Sequence, residues 1–249
     1  MDKILFICEG SHTEKKFCKL IIEKYFIQNE RKKEYVAFGT NIYGLYDELS
    51  KDYGLDIVEL IKEKAKKKND MVNYSKLNSG GFSEIYLIFD FDPQAPQYDE
   101  NKIKRMVKYF DNETENGKLY INYPMMESLK NFKSIPDLDY NNYVINKNMC
   151  SSYKEYVSKI SCINHFNDIT NDILKVIIKQ NLLKYEKISD NFIRDYESYV
   201  ILFSQDKLLS LQILKLNTSS QIYVINTSIF FGIDYFGKNK YLEYMNDND

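Results

Sequence analysis

The sequence contains few residues of the two types that most often hold transition metals. Among its 249 residues are 4 cysteines and 2 histidines. The cysteines are scattered and form no Cys-x-x-Cys pair, which argues against a zinc site or a disulfide framework. Two histidines are too few for a His-rich metal site. A metal bound by this chain would therefore need oxygen ligands, which favour hard cations such as Mg²⁺ or Mn²⁺.

Long apolar runs and export signals are also missing. No run approaches the roughly 18 apolar residues that a membrane span requires. The first four residues, Met1-Asp2-Lys3-Ile4, lead into a short apolar run that ends at Glu9, without the cleavage region of a signal peptide. The sequence therefore predicts a cytoplasmic protein with no membrane partner.

The charge balance gives no global argument for binding nucleic acid, because the net charge is −2. Basic residues nevertheless concentrate in two segments. One contains Lys62, Lys64, Lys66, Lys67 and Lys68, and the other contains Lys102, Lys104, Arg105 and Lys108. Such runs are either solvated helix faces or phosphate contacts. Lys102 and Arg105 are taken as candidate substrate contacts.

Hydrophobic patterning predicts alternating strands and helices over residues 1–133. Short apolar runs typical of buried strands occur at 4–8, 35–38, 85–89 and 119–122, and helical periodicity follows a Ser11–Glu14 capping box and recurs at 42–49, 57–67, 100–110 and 124–132. This alternation predicts an α/β fold with a doubly wound, mainly parallel sheet.

The rest of the chain has a different pattern. Residues 134–149 are polar with little periodicity, which predicts a domain boundary there. Residues 153–185 and 191–216 have helical patterns, and one strand candidate at 222–225 precedes an aromatic tail. We therefore expect a mostly helical C-terminal region over 150–249. Its aromatic tail is a natural surface for a partner or for a homo-oligomer.

Acidic residues follow three of the predicted strands. Glu9 follows the first, Asp90 and Asp92 follow the strand ending at Phe89, and Glu127 comes shortly after the strand ending at Asn122. Ligands of parallel α/β sheets bind at the carboxyl ends of the strands. Carboxylates gathered in a cleft repel one another, so such a cluster predicts a bound cation.

Three blocks of sequence resemble the motifs of TOPRIM domains. They are Ile7-Cys8-Glu9-Gly10-Ser11-His12-Thr13-Glu14, Leu87-Ile88-Phe89-Asp90-Phe91-Asp92 and Tyr123-Pro124-Met125-Met126-Glu127-Ser128. The chain is most similar to small bacterial TOPRIM proteins related to the overcoming-lysogenization-defect nucleases. The resemblance covers about residues 3–132, roughly half of the chain.

The resemblance implies a set of roles. Glu9 would be a metal ligand or general acid/base, Asp90 and Asp92 would be metal ligands, and Glu14 and Glu127 would serve the metals as further acids. The spacing from Glu9 to Glu14 is one residue longer than in some relatives, and no lysine stands at a defined motif position. The implied activity is Mg²⁺- or Mn²⁺-dependent cleavage of DNA or RNA, often coupled to a separate ATPase partner in anti-phage defence.

Divalent ions in such a site activate water and stabilise the leaving oxygen in an in-line attack on a phosphodiester. Near the start of the first predicted helix, His12 could contact a phosphate, although a single histidine at such a position is more often an exposed surface residue.

Two other interpretations stay open at this stage. A haloacid-dehalogenase-like phosphotransferase would use the Asp-x-Asp pair but would leave Glu9 without a role. A non-catalytic TOPRIM-like subunit would bind a partner or nucleic acid without cleaving it. A nucleotide kinase is disfavoured because the sequence has no Gly-x-x-x-x-Gly-Lys-[Ser/Thr] motif.

Overall fold

The computed structural model describes residues 3–10, 13–26, 31–51 and 56–245. Ser11, predicted to cap the first helix, and His12, a candidate phosphate contact, lie outside these ranges. Glu14 belongs to a described helix, but its side chain is not described. The predicted roles of His12 and Glu14 therefore stay predictions.

The described residues form two sheets. The strands are β1 Lys3–Cys8, β2 Lys32–Ala37, β3 Phe82–Asp90, β4 Asp111–Asn112, β5 Gly117–Asn122, β6 Val144–Asn146 and β7 Gln221–Tyr223. The first five form one sheet in the order β2-β1-β3-β5-β4, and β6 pairs with β7 in a two-stranded sheet. The predicted α/β class with a mostly parallel central sheet is confirmed.

Helices connect the strands of the first half and dominate the second half. They are α1 Thr13–Tyr25, α2 Ile42–Leu49, α3 Ile57–Lys67, α4 Met71–Asn78, α5 Glu100–Tyr109, α6 Tyr153–Ile160, α7 Asn171–Ser189, α8 Tyr196–Leu202, α9 Gln205–Ser219, α10 Phe231–Phe236 and α11 Lys238–Met245. Side-chain caps fix where several begin: Asp56 accepts the Glu59 N–H at 2.8 Å before α3, and Asp99 accepts that of Asn101 at 2.7 Å before α5.

Strand direction follows from the pairing. β1 pairs in parallel with both β2 and β3, and β4 is antiparallel to β5. Gly117 lies against Ile85, and Asn122, five residues later, accepts a hydrogen bond from the Phe91 N–H at 3.0 Å. Residue numbers therefore increase in the same direction along both segments, so β5 runs parallel to β3. The chain order reverses between β1 and β3, so the sheet has its topological switch point there.

An aromatic row crosses one face of the central sheet. Phe6 of β1 stacks on Tyr35 of β2 at 5.1 Å and on Tyr86 of β3 at 5.5 Å between ring centroids. Tyr120 of β5 continues the row at 6.4 Å from Tyr86. These four rings are buried. Stacked rings on adjacent strands contribute beyond their buried area and help to fix strand register.

The described chain separates into two compact units. The first comprises Met1–Lys19, Phe26–Phe89 and Gln97–Tyr120, and the second comprises Leu20–Tyr25, Asp90–Pro96 and Ile121–Asp249. These units are defined by packing within the structure, whereas the predicted domains 1–133 and 150–249 are defined by sequence patterns. Those domain limits stay predictions.

Residues 134–149, predicted to be a boundary, are closely bonded inside the second unit. The Asp137 carboxylate accepts the Lys133 N–H at 2.7 Å and the Tyr143 hydroxyl at 2.9 Å. The Lys184 side-chain nitrogen on α7 donates to the carbonyls of Tyr140 and Tyr143 at 2.9 and 2.7 Å. The segment therefore packs on α7 as an ordered part of this unit.

The predicted helices of the second half are shorter than their patterns suggested. In place of a helix over 124–132 there is a short 3₁₀ helix, Met126–Lys130, in which the Ser128 N–H donates to the Met125 carbonyl three residues earlier. The Met126 carbonyl also accepts the Asn226 side chain. The pattern over 191–216 divides into α8 and α9, where the Leu202 carbonyl accepts the Tyr185 hydroxyl and Ser204 caps α9. Residues 153–185 likewise divide into α6 and α7.

Candidate functional site

Glu9 directly follows β1 in the first unit. Its backbone N–H donates to the Ile88 carbonyl of β3 at 3.2 Å, and its own carbonyl accepts the Gly39 N–H at 2.8 Å. These bonds continue the β2-β1-β3 ladder one residue beyond β1. Glu9 is half-buried. It therefore stands at the carboxyl end of the strand that flanks the switch point.

Asp90 and Asp92 open the loop that follows β3, and both belong to the second unit. Asp90 is the last residue of β3 and is only 8% exposed. Asp92 has a φ of 41°, in the left-handed region, and its carboxylate accepts the Gln94 amide at 2.9 Å. A non-glycine residue in that region is uncommon, although Asp tolerates it better than most.

Glu127 lies in the 3₁₀ helix that follows β5, also in the second unit. Its side chain is buried, and it forms an ion pair with the Lys154 ammonium at 3.5 Å. Lys154 itself is largely exposed, so this ion pair is weak and open to water on one side. A carboxylate this buried needs a partner or a cation to offset the cost of desolvation.

The second unit also contains two buried polar side chains, Tyr153 and Asn122. The Tyr153 hydroxyl is buried, and burial, with Tyr140 and Glu127 nearby, raises the pKa of this phenol well above its ordinary value. Neither that hydroxyl nor the Asn122 amide nitrogen has a hydrogen-bond partner within the described part of the chain. Buried polar atoms are rarely left in that condition, so each marks a place where a ligand or water would be accommodated.

Cys150 adds a thiol to the same unit. Burial, and next the nearby Asp92 carboxylate, raise the pKa of the Cys150 thiol to about 12. At neutral pH it is therefore protonated and unreactive, unlike an activated nucleophile. Sequence reasoning missed Tyr153, Asn122 and Cys150 because none stands in a recognisable motif.

The two basic residues predicted to contact substrate lie on α5 in the first unit. Lys102 donates to the Asp47 carboxylate at 2.6 Å, and Arg105 donates to the Tyr46 hydroxyl at 2.8 Å. Both partners belong to α2, so these contacts join α2 to α5. Contact with substrate by either residue stays a prediction.

The other basic patch is also paired with acids. Lys62, Lys64 and Lys67 lie within 4 Å of Glu59, Glu48 and Glu63 respectively. The pairs made by Lys62 and Lys67 join residues three and four apart on α3. These contacts are those expected of a solvated helix face.

The oxygen donors present fit a hard cation by their chemistry. Asp90, Asp92 and Glu127 are carboxylates of one unit, and carboxylate oxygens are the ligand type that Mg²⁺ and Mn²⁺ prefer. Within residues 3–10, 13–26, 31–51 and 56–245, no group of three or more His, Cys, Asp or Glu side chains is arranged so that it could hold a metal ion. The ligand set, including the convergence of Glu9 with the aspartates, stays a prediction.

Comparison with protein-family models, curated proteins and solved structures finds no match to this chain. In the described residues, no helix is long and apolar enough to cross a membrane.

Proposed function

We propose that this chain is a TOPRIM-like nuclease that cleaves phosphodiester bonds of DNA or RNA with Mg²⁺ or Mn²⁺. One observation carries the proposal. The central sheet reverses its strand order between β1 and β3, and these two strands are followed by Glu9 and ended by Asp90. Ligands of open α/β sheets bind at such a switch point, outside the carboxyl ends of the strands.

Other features of the second unit support the same proposal. Asp90 and Glu127 are 8% and 7% exposed, and buried carboxylates of this kind are stable when a cation is shared among them. The left-handed backbone of Asp92 is a local outlier, and such outliers concentrate at binding and catalytic sites. These features motivate a functional role for the loop after β3.

The roles proposed for the side chains follow from their chemistry. When bound, divalent ions would lower the pKa of water and neutralise charge that develops on a phosphodiester. Asp90, Asp92 and Glu127 would hold the cations. Glu9 would be a further ligand or would accept the proton from the attacking water.

The partners stay proposals of the same kind. Nucleic acid is the proposed substrate, and a separate ATPase and a second copy of the chain are proposed protein partners. The sequence blocks that resemble TOPRIM nucleases support the nucleic acid and the ATPase partner. The aromatic residues of the C-terminal region support the second copy.

The test compares Asp90→Asn with wild type for cleavage of plasmid DNA, single-stranded DNA and tRNA, with Mn²⁺ and with EDTA. Asp111→Asn, an exposed aspartate on β4, is the matched control. We expect wild type and Asp111→Asn to cleave at least one substrate with Mn²⁺ only. Asp90→Asn should lose more activity than the roughly 10- to 100-fold typical of outer-shell changes.

Undiminished cleavage by Asp90→Asn would remove this residue from the site. If wild type neither cleaves nor binds Mn²⁺, alone or with an ATPase partner, the chain is a binding subunit instead. Lys154 would then be the cation that balances Glu127.

A further inference from the structure

The last residues before α10 are bonded to the end of β5 and to the loop that follows it. We call residues 225–228 the clamp segment. Ile225 exchanges two backbone hydrogen bonds with Tyr123, at 2.9 and 3.0 Å. The Thr227 hydroxyl donates to the Ile121 carbonyl at 2.8 Å, and the Ser228 N–H donates to the Asn122 side-chain oxygen at 3.3 Å. All of these residues belong to the second unit.

Asn226 extends the clamp segment to both neighbours of Glu127. Its side-chain nitrogen donates to the Met126 carbonyl at 3.3 Å and to the Ser128 hydroxyl at 3.2 Å. Asn226 and Ser128 are both 0% exposed. The amide therefore bonds to the residue before Glu127 and to the residue after it, which fixes the backbone that carries this carboxylate.

The amide of Asn226 is itself held in one orientation. Its side-chain oxygen accepts the Ser228 hydroxyl at 2.8 Å, and its backbone N–H donates to the Asn181 side chain of α7 at 2.9 Å. Asn181 is fixed in turn by the Tyr140 hydroxyl at 2.7 Å and by its own bond to the Ile177 carbonyl at 2.8 Å. A buried network that is satisfied in this way is rigid and specifies a single arrangement.

We propose that Asn226 is a positioning residue that holds Glu127 in its place in the site. The inference rests on the proposed function for the role of Glu127, but the hydrogen bonds that carry it do not. Glu127 lies in the half of the chain that resembles TOPRIM domains, whereas Asn226 lies in the C-terminal region. The proposed role of this region is therefore to hold a residue of the site in place. Outer-shell partners of metal ligands commonly act in this way.

The experiment measures Mn²⁺ affinity by electron paramagnetic resonance for full-length wild type, Asn226→Ala, Glu127→Gln and the double variant. Gln212→Ala is the matched control, since Gln212 is equally buried and its amide bonds the N–H and carbonyl of Tyr223 instead. We expect Asn226→Ala to weaken Mn²⁺ binding about 10- to 100-fold. Gln212→Ala should leave the affinity within about twofold.

The double variant separates positioning from general loss of stability. If Asn226 acts through Glu127, Asn226→Ala should add little once Glu127→Gln is present. An undiminished effect in that background, or an equal effect of Gln212→Ala, would overturn the proposal. Should Asn226→Ala not fold, Ser128→Ala removes one of its two bonds to this loop and should weaken binding by a smaller factor, whereas unchanged affinity would contradict us.

Amide hydrogen exchange gives a readout that needs no metal. The Ser128 N–H donates to the Met125 carbonyl at 3.0 Å in the wild type. Asn226→Ala should speed its exchange at least tenfold, and Gln212→Ala should not. If wild type binds no Mn²⁺, the proposed function fails, and this exchange result alone decides whether Asn226 holds the loop. Equal exchange in the two variants would overturn the positioning role as well.

Discussion

Lys184 is a lysine whose side chain is buried in the second unit. It is 0% exposed, donates to two backbone carbonyls, and lies 4.6 Å above the Tyr140 ring. Burial, and next the Lys187 charge, lower the pKa of Lys184 well below its ordinary value of 10.5, while Asp137 opposes the shift. The protein therefore folds with a lysine whose charged form is disfavoured.

The sign of the pH dependence follows from this depressed pKa. Between the folded pKa and 10.5 the unfolded chain holds a proton that the folded chain has lost, so the free energy of unfolding rises with pH in that window. We expect wild type to gain up to about 1.4 kcal/mol per pH unit there relative to Lys184→Met. The measurement is urea unfolding from pH 7 to 9.5, below the ordinary tyrosine pKa.

Lys175→Met, on the same helix, is the control for Lys184. It should keep the wild-type slope. A Lys184→Met protein whose stability follows pH with that same slope would show that Lys184 remains charged when folded. Absolute stability is not the readout, because the substitution also leaves the Tyr140 and Tyr143 carbonyls without their donor.

The acids of the candidate site could be selected from the sequence, because each follows a strong strand pattern and the carboxyl ends of parallel strands carry ligands. The residues that surround Glu127 could not. Asn226 is nearly 100 positions away, and it begins a polar Asn-Thr-Ser run that is typical of a surface loop. Only packing shows that it is buried and that its amide donates to the Met126 carbonyl and to the Ser128 hydroxyl, on either side of Glu127.

The contact between α1 and α10 depends on a glycine. Gly232 has no side chain where the Tyr25 ring passes, and a Cβ there would lie 2.2 Å from a ring carbon. The ring is fixed because its hydroxyl donates to the Ile229 carbonyl at 2.7 Å. Two effects therefore oppose each other in Gly232→Ala: a helix propensity gain of about 1 kcal/mol and an overpacking cost of about 1–3 kcal/mol or more.

We expect the clash to dominate, so that Gly232→Ala lowers the free energy of unfolding by about 1–2 kcal/mol. The measurement is chemical unfolding of Gly232→Ala, Tyr25→Leu and the double variant. In the Tyr25→Leu background the ring is absent, and Gly232→Ala should become neutral or stabilising. An equal loss in both backgrounds would place the strain somewhere other than against Tyr25.

Helices and strands with strong periodicity were predictable from sequence alone. α2 and α3 have the predicted limits, and β1 and β3 include the predicted residues with extensions of one to four positions. α4 was not predicted, because Met71–Asn78 mixes apolar and polar residues without a clear face. The segment carrying Glu127 is a 3₁₀ helix and not the predicted α-helix, and its bond from the distant Asn226 side chain is absent from any local pattern.

Stability of the whole molecule should respond to the proposed cation. A ligand that binds only the folded state stabilises it by about 2.7 kcal/mol at 100 times its Kd. For a chain of this size, that corresponds to a rise in Tm of roughly 5–10 °C. We expect Mn²⁺ to produce such a rise in wild type and a much smaller one in Asp90→Asn.

Without metal, Asp90→Asn should melt at or above the wild-type temperature, because in the proposed site it removes one charge from a group of carboxylates that repel one another. Differential scanning calorimetry with EDTA and with Mn²⁺ gives both values. Equal Mn²⁺ shifts in the two proteins would mean that the ion binds elsewhere.

Because Glu127 and the clamp segment are far apart along the chain, the ribosome makes the Glu127 loop well before the residues that bond to it. The bonds from Asn226 and Thr227 span 98 to 106 residues. At about 5–20 residues per second, the ribosome needs roughly 5–20 s to make that length of chain. During this interval the Glu127 loop lacks these hydrogen bonds, so the nascent protein can hold this loop in its final arrangement only once the clamp segment has been made.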